Sequence, residues 1–331
     1  VTAQDVALRA GVSRSAVSRS FTPGASVAAE TRARVLSAAH ALGYQPNLMA
    51  RSLMTQRSHL IALIMGQMRN PFFTDLLEGF NTRLQGLGFQ TLLMTADDQA
   101  SADRALDHAL GYRIDGALTV AVSPSRVLAK RCTTAAVPLV ALDRRRSAGG
   151  STIWIDGEET GAQAAQRFVA EGRRRLGLIE GHGEELSSGG KSRGFIESAA
   201  KLGVAAPAIS YGHFTYEGGF AAMRHLLQSG APPDGVFCVN DLMAIGALDA
   251  ARYEGGKRVP EDVSLIGFGD IPAAAWRNLR LTTLRIPLPE LLDAAVDTLT
   301  ARIADFRLKP VRIALPTELI ERSTTRALNA R

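Results

Sequence analysis

The stretch VTAQDVALRAGVSRSAVSRSF (residues 1–21) reads as two short helices joined by a sharp turn. Val6, Ala7 and Ala10 fall on one face of the first, and Gly11 ends it, because glycine enters the left-handed conformation of such a turn without steric penalty. Ser13 stands where a hydroxyl can cap the second helix. There Val17 and Phe21 share a face at i, i+4 spacing, while Arg14, Ser15, Ser18 and Arg19 project from the other as two further i, i+4 pairs. One face is a core stripe and the other, with two arginines and two serines, is polar and free of core duty. A third amphipathic helix is predicted over residues 29–42, with Val35, Leu36, Ala39 and Leu42 inward and Gly43 as its stop; its cap is weak, since Ala28 sits where a Ser would be expected.

Outward from this head, charge is divided unevenly. Residues 1–57 hold seven arginines against two acids, whereas the remaining 274 residues hold 31 basic and 30 acidic side chains. A small basic head on a near-neutral body is what phosphate binding by one module needs. Pro46 and Asn47 open a possible helix over residues 48–53, too short to be stable alone, so residues 46–58 read as a linker that orders on binding.

From His59 onward the pattern changes. LIALIM (60–65), QTLLMTA (90–96), GALTVA (116–121), VPLVALD (137–143), LGLIEG (176–181), GVFCVN (235–240) and VSLIGFG (263–269) read as buried parallel strands, with helical segments between most of them. That alternation predicts a doubly wound α/β architecture, and seven such strands suggest two lobes with a ligand cleft at the strand ends between them.

Composition excludes several classes. With 46% hydrophobic and 21% charged residues the chain is ordinary for a globular protein, and no apolar run approaches the ~20 residues of a membrane helix. Asp5 and Arg9 near the start do not fit a secretory leader, so a cytosolic protein is expected. Cys132 and Cys238 are far apart and lack partners at ligand spacing, so they read as buried thiols; neither metal nor cofactor is expected. GGKS (189–192) superficially suggests a phosphate loop, but the required first Gly falls at Glu185. There is no HExxH and no GxSxG, which leaves an enzyme without a nucleophile or metal motif. A transporter's soluble binding protein would share the body but have no use for the basic head.

The head, continued by ETRARVLSAAHALGYQPNLMARSL, closely resembles the lactose-repressor (LacI/GalR) family of bacterial transcription regulators. The resemblance extends along nearly the whole chain through NPFF (70–73), VPLVALDR (137–144), CVNDLMAIGAL (238–248) and IGFGDI…LTTLRIP (266–287). It implies a helix-turn-helix DNA-binding domain (1–45), a hinge helix and linker (46–58) and a two-lobed, periplasmic-binding-protein-like effector and dimerisation domain (59–331), with chain crossovers near 156, 286 and 318. It further implies a homodimer on a pseudo-palindromic double-stranded operator, and a sugar-like effector that controls DNA affinity. Repression is the family's habit; activation, and whether the effector releases or tightens DNA, stay open.

By this resemblance the second helix enters the major groove, where Arg14 and Arg19 can each bind guanine bidentately and Ser15 and Ser18 are permissive. Thr2, Ala3, Ser13, Thr22, Thr31, Tyr44 and Asn47 would mainly contact phosphates, which fixes register without reading bases. Leu53 would wedge into the minor groove, with Ala50 packed against sugars and its dimer mate.

For the cleft, Asn70, Phe72 and Phe73 follow the first strand; the aromatic pair suits the apolar face of a sugar ring, or core packing. Asp143 and Arg144 end a strand, Phe214 precedes a helix, and Asn240 and Asp241 open another; Asp241 is either a ligand-gripping carboxylate or a helix cap. Two positions depart from the family's commonest pattern. Lys191 replaces a frequent Arg, and Gly267-Phe268-Gly269-Asp270 lacks the first carboxylate of Gly-Phe-Asp-Asp, a variant that resembles regulators of gluconate use. Keeping a cation while losing a carboxylate predicts an anionic effector such as a sugar acid or sugar phosphate, with Asp270 as the remaining acid.

Overall fold

The computed structural model describes residues 1–22, 24–45, 57–66, 68–142, 149–181 and 189–328. The chain divides into two compact units, Val1–His59 and Leu60–Arg331.

The first unit holds α1 (Ala3–Ala10), α2 (Arg14–Ser20) and α3 (Ala29–Leu42) around a small core of Val6, Ala7, Ala10, Val17, Val35, Ala38 and Ala39. Thr2 and Asp5 form a reciprocal capping box on α1, and these bonds, the backbone one foremost, hold the Asp5 carboxyl below its ordinary range. Gly11 takes φ +63° and turns the chain into α2, which Ser13 caps by accepting from Ala16 N at 3.2 Å. α3 has no side-chain cap at Ala28. Its inward face is rotated from the predicted one: Leu36 is 44% exposed and Ala38 is buried instead. α3 thus turns Val35, Ala38 and Ala39 toward α1 and α2, with Leu42 half-buried at the edge of this core. Phe21 and Tyr44 cover the edge of this core, ring centroids 5.9 Å apart.

The second unit contains two six-stranded sheets. One runs β11 (Arg312–Leu315), β5 (Ser151–Ile155), β4 (Leu139–Leu142), β3 (Gly116–Val120), β1 (Leu60–Met65), β2 (Gln90–Thr95) and is parallel throughout; the other runs β12 (Glu318–Ile320), β10 (Thr283–Arg285), β9 (Ser264–Gly269), β8 (Gly235–Cys238), β6 (Leu176–Glu180), β7 (Ala208–Tyr211) and is parallel except at its β12 edge. The first lobe comprises β1 (Leu60–Met65), α4 (Pro71–Gly86), β2 (Gln90–Thr95), α5 (Gln99–Gly111), β3 (Gly116–Val120), α6 (Arg126–Thr134), β4 (Leu139–Leu142) and β5 (Ser151–Ile155). The second comprises α7 (Gly157–Ala170), β6 (Leu176–Glu180), α8 (Gly189–Lys201), β7 (Ala208–Tyr211), α9 (Tyr216–Leu227), β8 (Gly235–Cys238), α10 (Asp241–Asp249), β9 (Ser264–Gly269) and β10 (Thr283–Arg285). α11 (Leu288–Ala304) and β11 (Arg312–Leu315) return to the first lobe, and β12 (Glu318–Ile320) to the second. The chain thus passes between lobes at 155–157, 285–288 and 315–318.

β1 shows why both sheet faces are covered. Ile61, Leu63 and Met65 face the α4 and α11 side with Phe80, Leu292 and Leu299, whereas Ala62 and Ile64 face α5 and α6 with Leu106 and Cys132. In the core of the second lobe Phe195 meets Phe168 edge to face, centroids 6.2 Å apart, and Phe237 at a tilt, 5.3 Å apart.

All seven strands expected from apolar runs are present, but β2 is not buried on both faces. It is an edge strand, and Leu93 is 42% exposed. β5, β7, β10, β11 and β12 escaped the sequence reading. Three of these are edges, where one half-exposed flank breaks the continuous apolar run, and β10 and β12 are only three residues long. The two thiols lie buried in different lobes, with Cys132 pushed up to about 11 and Cys238 pushed up further by burial. No helix among the described residues is long and apolar enough to cross a membrane, and no described cluster could hold a metal.

Candidate DNA-reading head and effector cleft

On α2, Val17 is 1% exposed while Arg14, Ser15, Ser18 and Arg19 are all exposed. A helix of about two turns therefore anchors with one face and offers two guanidiniums and two hydroxyls with the other. Ser13 and Ser15 hydroxyls lie 2.9 Å apart. Among the residues expected at phosphates, Thr2 is committed to its capping box. The Thr22 hydroxyl donates to Ser18 O at 3.0 Å, so its one proton already serves the end of α2. Ala3, Thr31 and Tyr44 are half-buried, Tyr44 held against Phe21. Arg32 donates to Ala25 O at 3.0 Å, which ties the loop before α3 and takes this arginine out of the basic face. Asn47, Ala50 and Leu53 lie outside the described residues.

The cleft of the second unit spans about 680 Å³ of space between atoms, open solvent included. It sits at the carboxyl ends of the strands, where open α/β sheets bind ligands. Val120, Leu142 and Ile155 come from the ends of β3, β4 and β5; Phe214, Val239 and Phe268 follow or end β7, β8 and β9. Asn70 caps α4, accepting from Phe72 N at 3.1 Å, and Phe72 and Phe73 make an edge-to-face pair with centroids 5.5 Å apart. Phe73 is also core of the first lobe, while Phe72 packs against the cores of both. Phe214 takes φ +59°, and its ring occupies space that a Cβ on Gly181 would fill. Lys191 is 5% exposed in the first turn of α8, its Nζ 4.3 Å from the centre of the Phe268 ring.

The structure thus brings Asn70, Phe72, Phe73, Lys191, Phe214 and Asn240 to one cleft. Two expected carboxylates go elsewhere. Asp241 is neither the helix cap nor a lining residue: Asn240 caps α10, accepting from Met243 N at 2.8 Å. Asp241, 1% exposed, accepts from Thr283 Oγ1 at 2.5 Å and Ile271 N at 2.9 Å, and burial pushes it up to about 6. Asp270 is clamped by Arg285 and Arg322, each at 2.7 Å, beside the crossover segments rather than in the cleft. Gly269 just before it takes φ +127°, a conformation side-chain-bearing residues rarely adopt, so the missing carboxylate of the GFGD variant has a backbone reason. Asp143 and Arg144 lie outside the described residues. Phe268 was missed as a lining residue, although it stands inside the motif that drew attention to its neighbours.

A basic, small-cored helical head carried on the same chain as a two-lobed domain with a cleft at its strand ends defines a DNA-binding transcription regulator that carries its own small-molecule sensor domain. Residues 2–47 match the family of bacterial regulatory proteins, lacI family, and residues 165–325 match the periplasmic binding protein-like domain. The HTH-type transcriptional regulator CelR of Thermobifida fusca is 32% identical, over 98% of this chain and 98% of its own length. The ribose operon repressor of Escherichia coli (strain K12) is also 32% identical, over 98% and 99%. A crystal structure of the lac repressor dimer bound to operator and the anti-inducer ONPF covers 99% of both chains at 26% identity with a TM-score of 0.89. The chain belongs to the LacI family.

Proposed function

We propose that this protein acts as a homodimeric repressor on a pseudo-palindromic operator, and that a small anionic molecule between the lobes sets its operator affinity. The observation that carries the DNA half is the exposed Arg14, Ser15, Ser18, Arg19 face opposite buried Val17. Arg14 and Arg19 read bases, Ser13 and Tyr44 position the backbone, and Leu53 wedges into the minor groove as the family resemblance implies. The lac repressor dimer bound to operator, similar to this chain over its whole length, supports this reading, and a cytoplasmic place of work goes with it as part of the proposal. For the effector half, Lys191 is the charged residue among the described lining of the cleft. An effector that prefers one lobe arrangement shifts DNA affinity by its differential affinity for the two.

The test is selection of duplexes from a random library by the full chain, followed by binding titrations at several salt concentrations. An enriched inverted repeat whose affinity falls steeply with salt is expected, because neutralised phosphates release counterions. Leu53→Ala should weaken the selected site more than tenfold with the second unit still folded. Enrichment of no motif, or a flat salt dependence, overturns the reading.

A further inference from the structure

A second concavity lies at the opposite end of the first lobe from the cleft. Leu139 opens β4, Gly150 precedes β5, Pro310 precedes β11 and Arg302 stands in the last turn of α11. The pocket they line therefore sits at the amino-terminal ends of the strands, the end at which the chain enters β1. It spans about 590 Å³ of space between atoms, open solvent included. Arg302 is only 7% exposed. Its guanidinium carbon lies 4.9 Å from the centre of the Phe306 ring, and its Nε–H donates to Leu308 O at 3.2 Å. Burial pulls Arg302 below the ordinary arginine range and no described carboxylate offsets this, in contrast to Arg285, which Asp270 and Glu318 push up. Arg307 and Lys309 also line the pocket and are exposed. Arg307 grips Asp305 through Nε at 2.9 Å and Nη2 at 3.2 Å. Among the described residues that line the pocket there is no acid, and Val137, Leu139 and Pro310 give it apolar walls. The chain between β4 and Gly149, DRRRSA (143–148), holds three arginines against one acid, so its own charge adds to the positive sign.

We propose that this pocket is a second ligand site of the protein, one that takes a phosphoryl dianion, with Arg302 as its buried anchor and Lys309 as its exposed second charge. A guanidinium withdrawn from water costs free energy unless an anion meets it, and an uncharged side chain of similar length would fill the same space without that cost. The Phe306 ring and the Leu308 carbonyl fix the plane of the guanidinium, which leaves a preorganised fork of the kind that binds phosphate oxygens. With Arg307 neutralised by Asp305, Arg302 and Lys309 leave two positive charges on the pocket. A phosphate monoester carries about −1.5 to −2 at pH 7 and matches them; a carboxylate matches one. The site lies at the far end of the lobe from the cleft, so the proposal does not rest on the cleft being the effector site.

The experiment is calorimetric titration of the full chain with inorganic phosphate, phenyl phosphate, sulfate and acetate at fixed ionic strength. One phosphate per chain is expected, bound tenfold or more tightly than acetate. Phenyl phosphate should bind about fourfold more tightly at pH 7.5 than at pH 5.5, because its second proton leaves near pH ~6, whereas sulfate, a dianion throughout, should not change. Arg302→Met keeps an unbranched stem against Phe306 and should weaken phosphate at least tenfold. Lys309→Gln, an exposed position that puts no fold at risk, should weaken it at least threefold, with circular dichroism reporting the fold of both variants. Phosphate binding that survives both substitutions but is lost in Lys191→Met places the anion in the cleft and overturns the proposal. Acetate as tight as phosphate overturns the dianion. Absence of phosphate binding overturns the site; if Arg302→Met and Lys309→Gln then weaken every DNA duplex equally, these cations serve the singly charged DNA backbone instead. Operator titration of the unsubstituted chain decides the DNA reading separately.

Discussion

Lys191 reaches the cleft because α7 and α8 pack backbone to backbone, and Gly161→Ala should break that arrangement. A Cβ at Gly161 would overlap the Lys191 carbonyl oxygen and stand 2.5 Å from Phe195 N and 2.9 Å from the Lys191 carbonyl carbon. These are backbone atoms, so no rotamer change relieves the clash and the helices must part. Overpacking of this kind costs about 1–3 kcal/mol, and the rigid neighbours put this site near the top of that range. Alanine's better helix propensity returns about 1 kcal/mol. The net loss of about 2 kcal/mol corresponds to a fall in Tm of roughly 4–8 °C for a unit of this size. The shift of α8 should also carry Lys191 away from Phe268 and weaken acid binding. Scanning calorimetry of the full chain measures the first effect, and ligand titration the second. Gly111→Ala is the control: it ends α5, and a Cβ there meets nothing within 4 Å, so Tm should hold or rise slightly. A Gly161→Ala protein as stable as the parent would refute the view that glycine contact between α7 and α8 positions the cleft cation.

Burial pushes Asp241 up to about 6 from 3.8, so the native state holds its proton more tightly than the unfolded chain between about pH 4 and 6. Stability from this group is therefore greatest at the acid end of that window and falls as pH rises through it, by at most about 3 kcal/mol; the Tm difference between the parent and Asp241→Asn should track that slope, and a constant difference from pH 4 to 8 would refute it. Glu171, with its side chain 1% exposed, takes bonds from Arg167, Arg173, Ser264 and Arg326 N. Glu171→Ala leaves two buried guanidiniums short of a counter-charge and should cost about 3 kcal/mol, read as a lower denaturant midpoint. Arg14→Ala should weaken the selected operator by about 1–3 kcal/mol and relax base preference at one position per half-site, whereas uniform weakening across all sequences would reassign Arg14 to phosphate.

The three-helix head, the seven apolar strands and the family were legible along the chain because each rests on local period. Val6, Ala7 and Ala10 must share a face, Gly11 must turn, and LIALIM must be covered on both sides. Residues following strands, such as Asn70 and Phe214, could be placed near a cleft for the same reason: in a doubly wound sheet the ligand end is the carboxyl end. Edge strands β7, β11 and β12 and the outward Leu36 were not legible, since neighbours distant in sequence decide what is half-exposed. The chemistry of the cleft belongs to tertiary structure as well. Asp270 is removed from ligand duty by Arg285 and Arg322, residues 15 and 52 positions away, and Asp241 by Thr283, 42 away. A carboxylate's availability depends on which donors fold against it, and no local pattern carries that information.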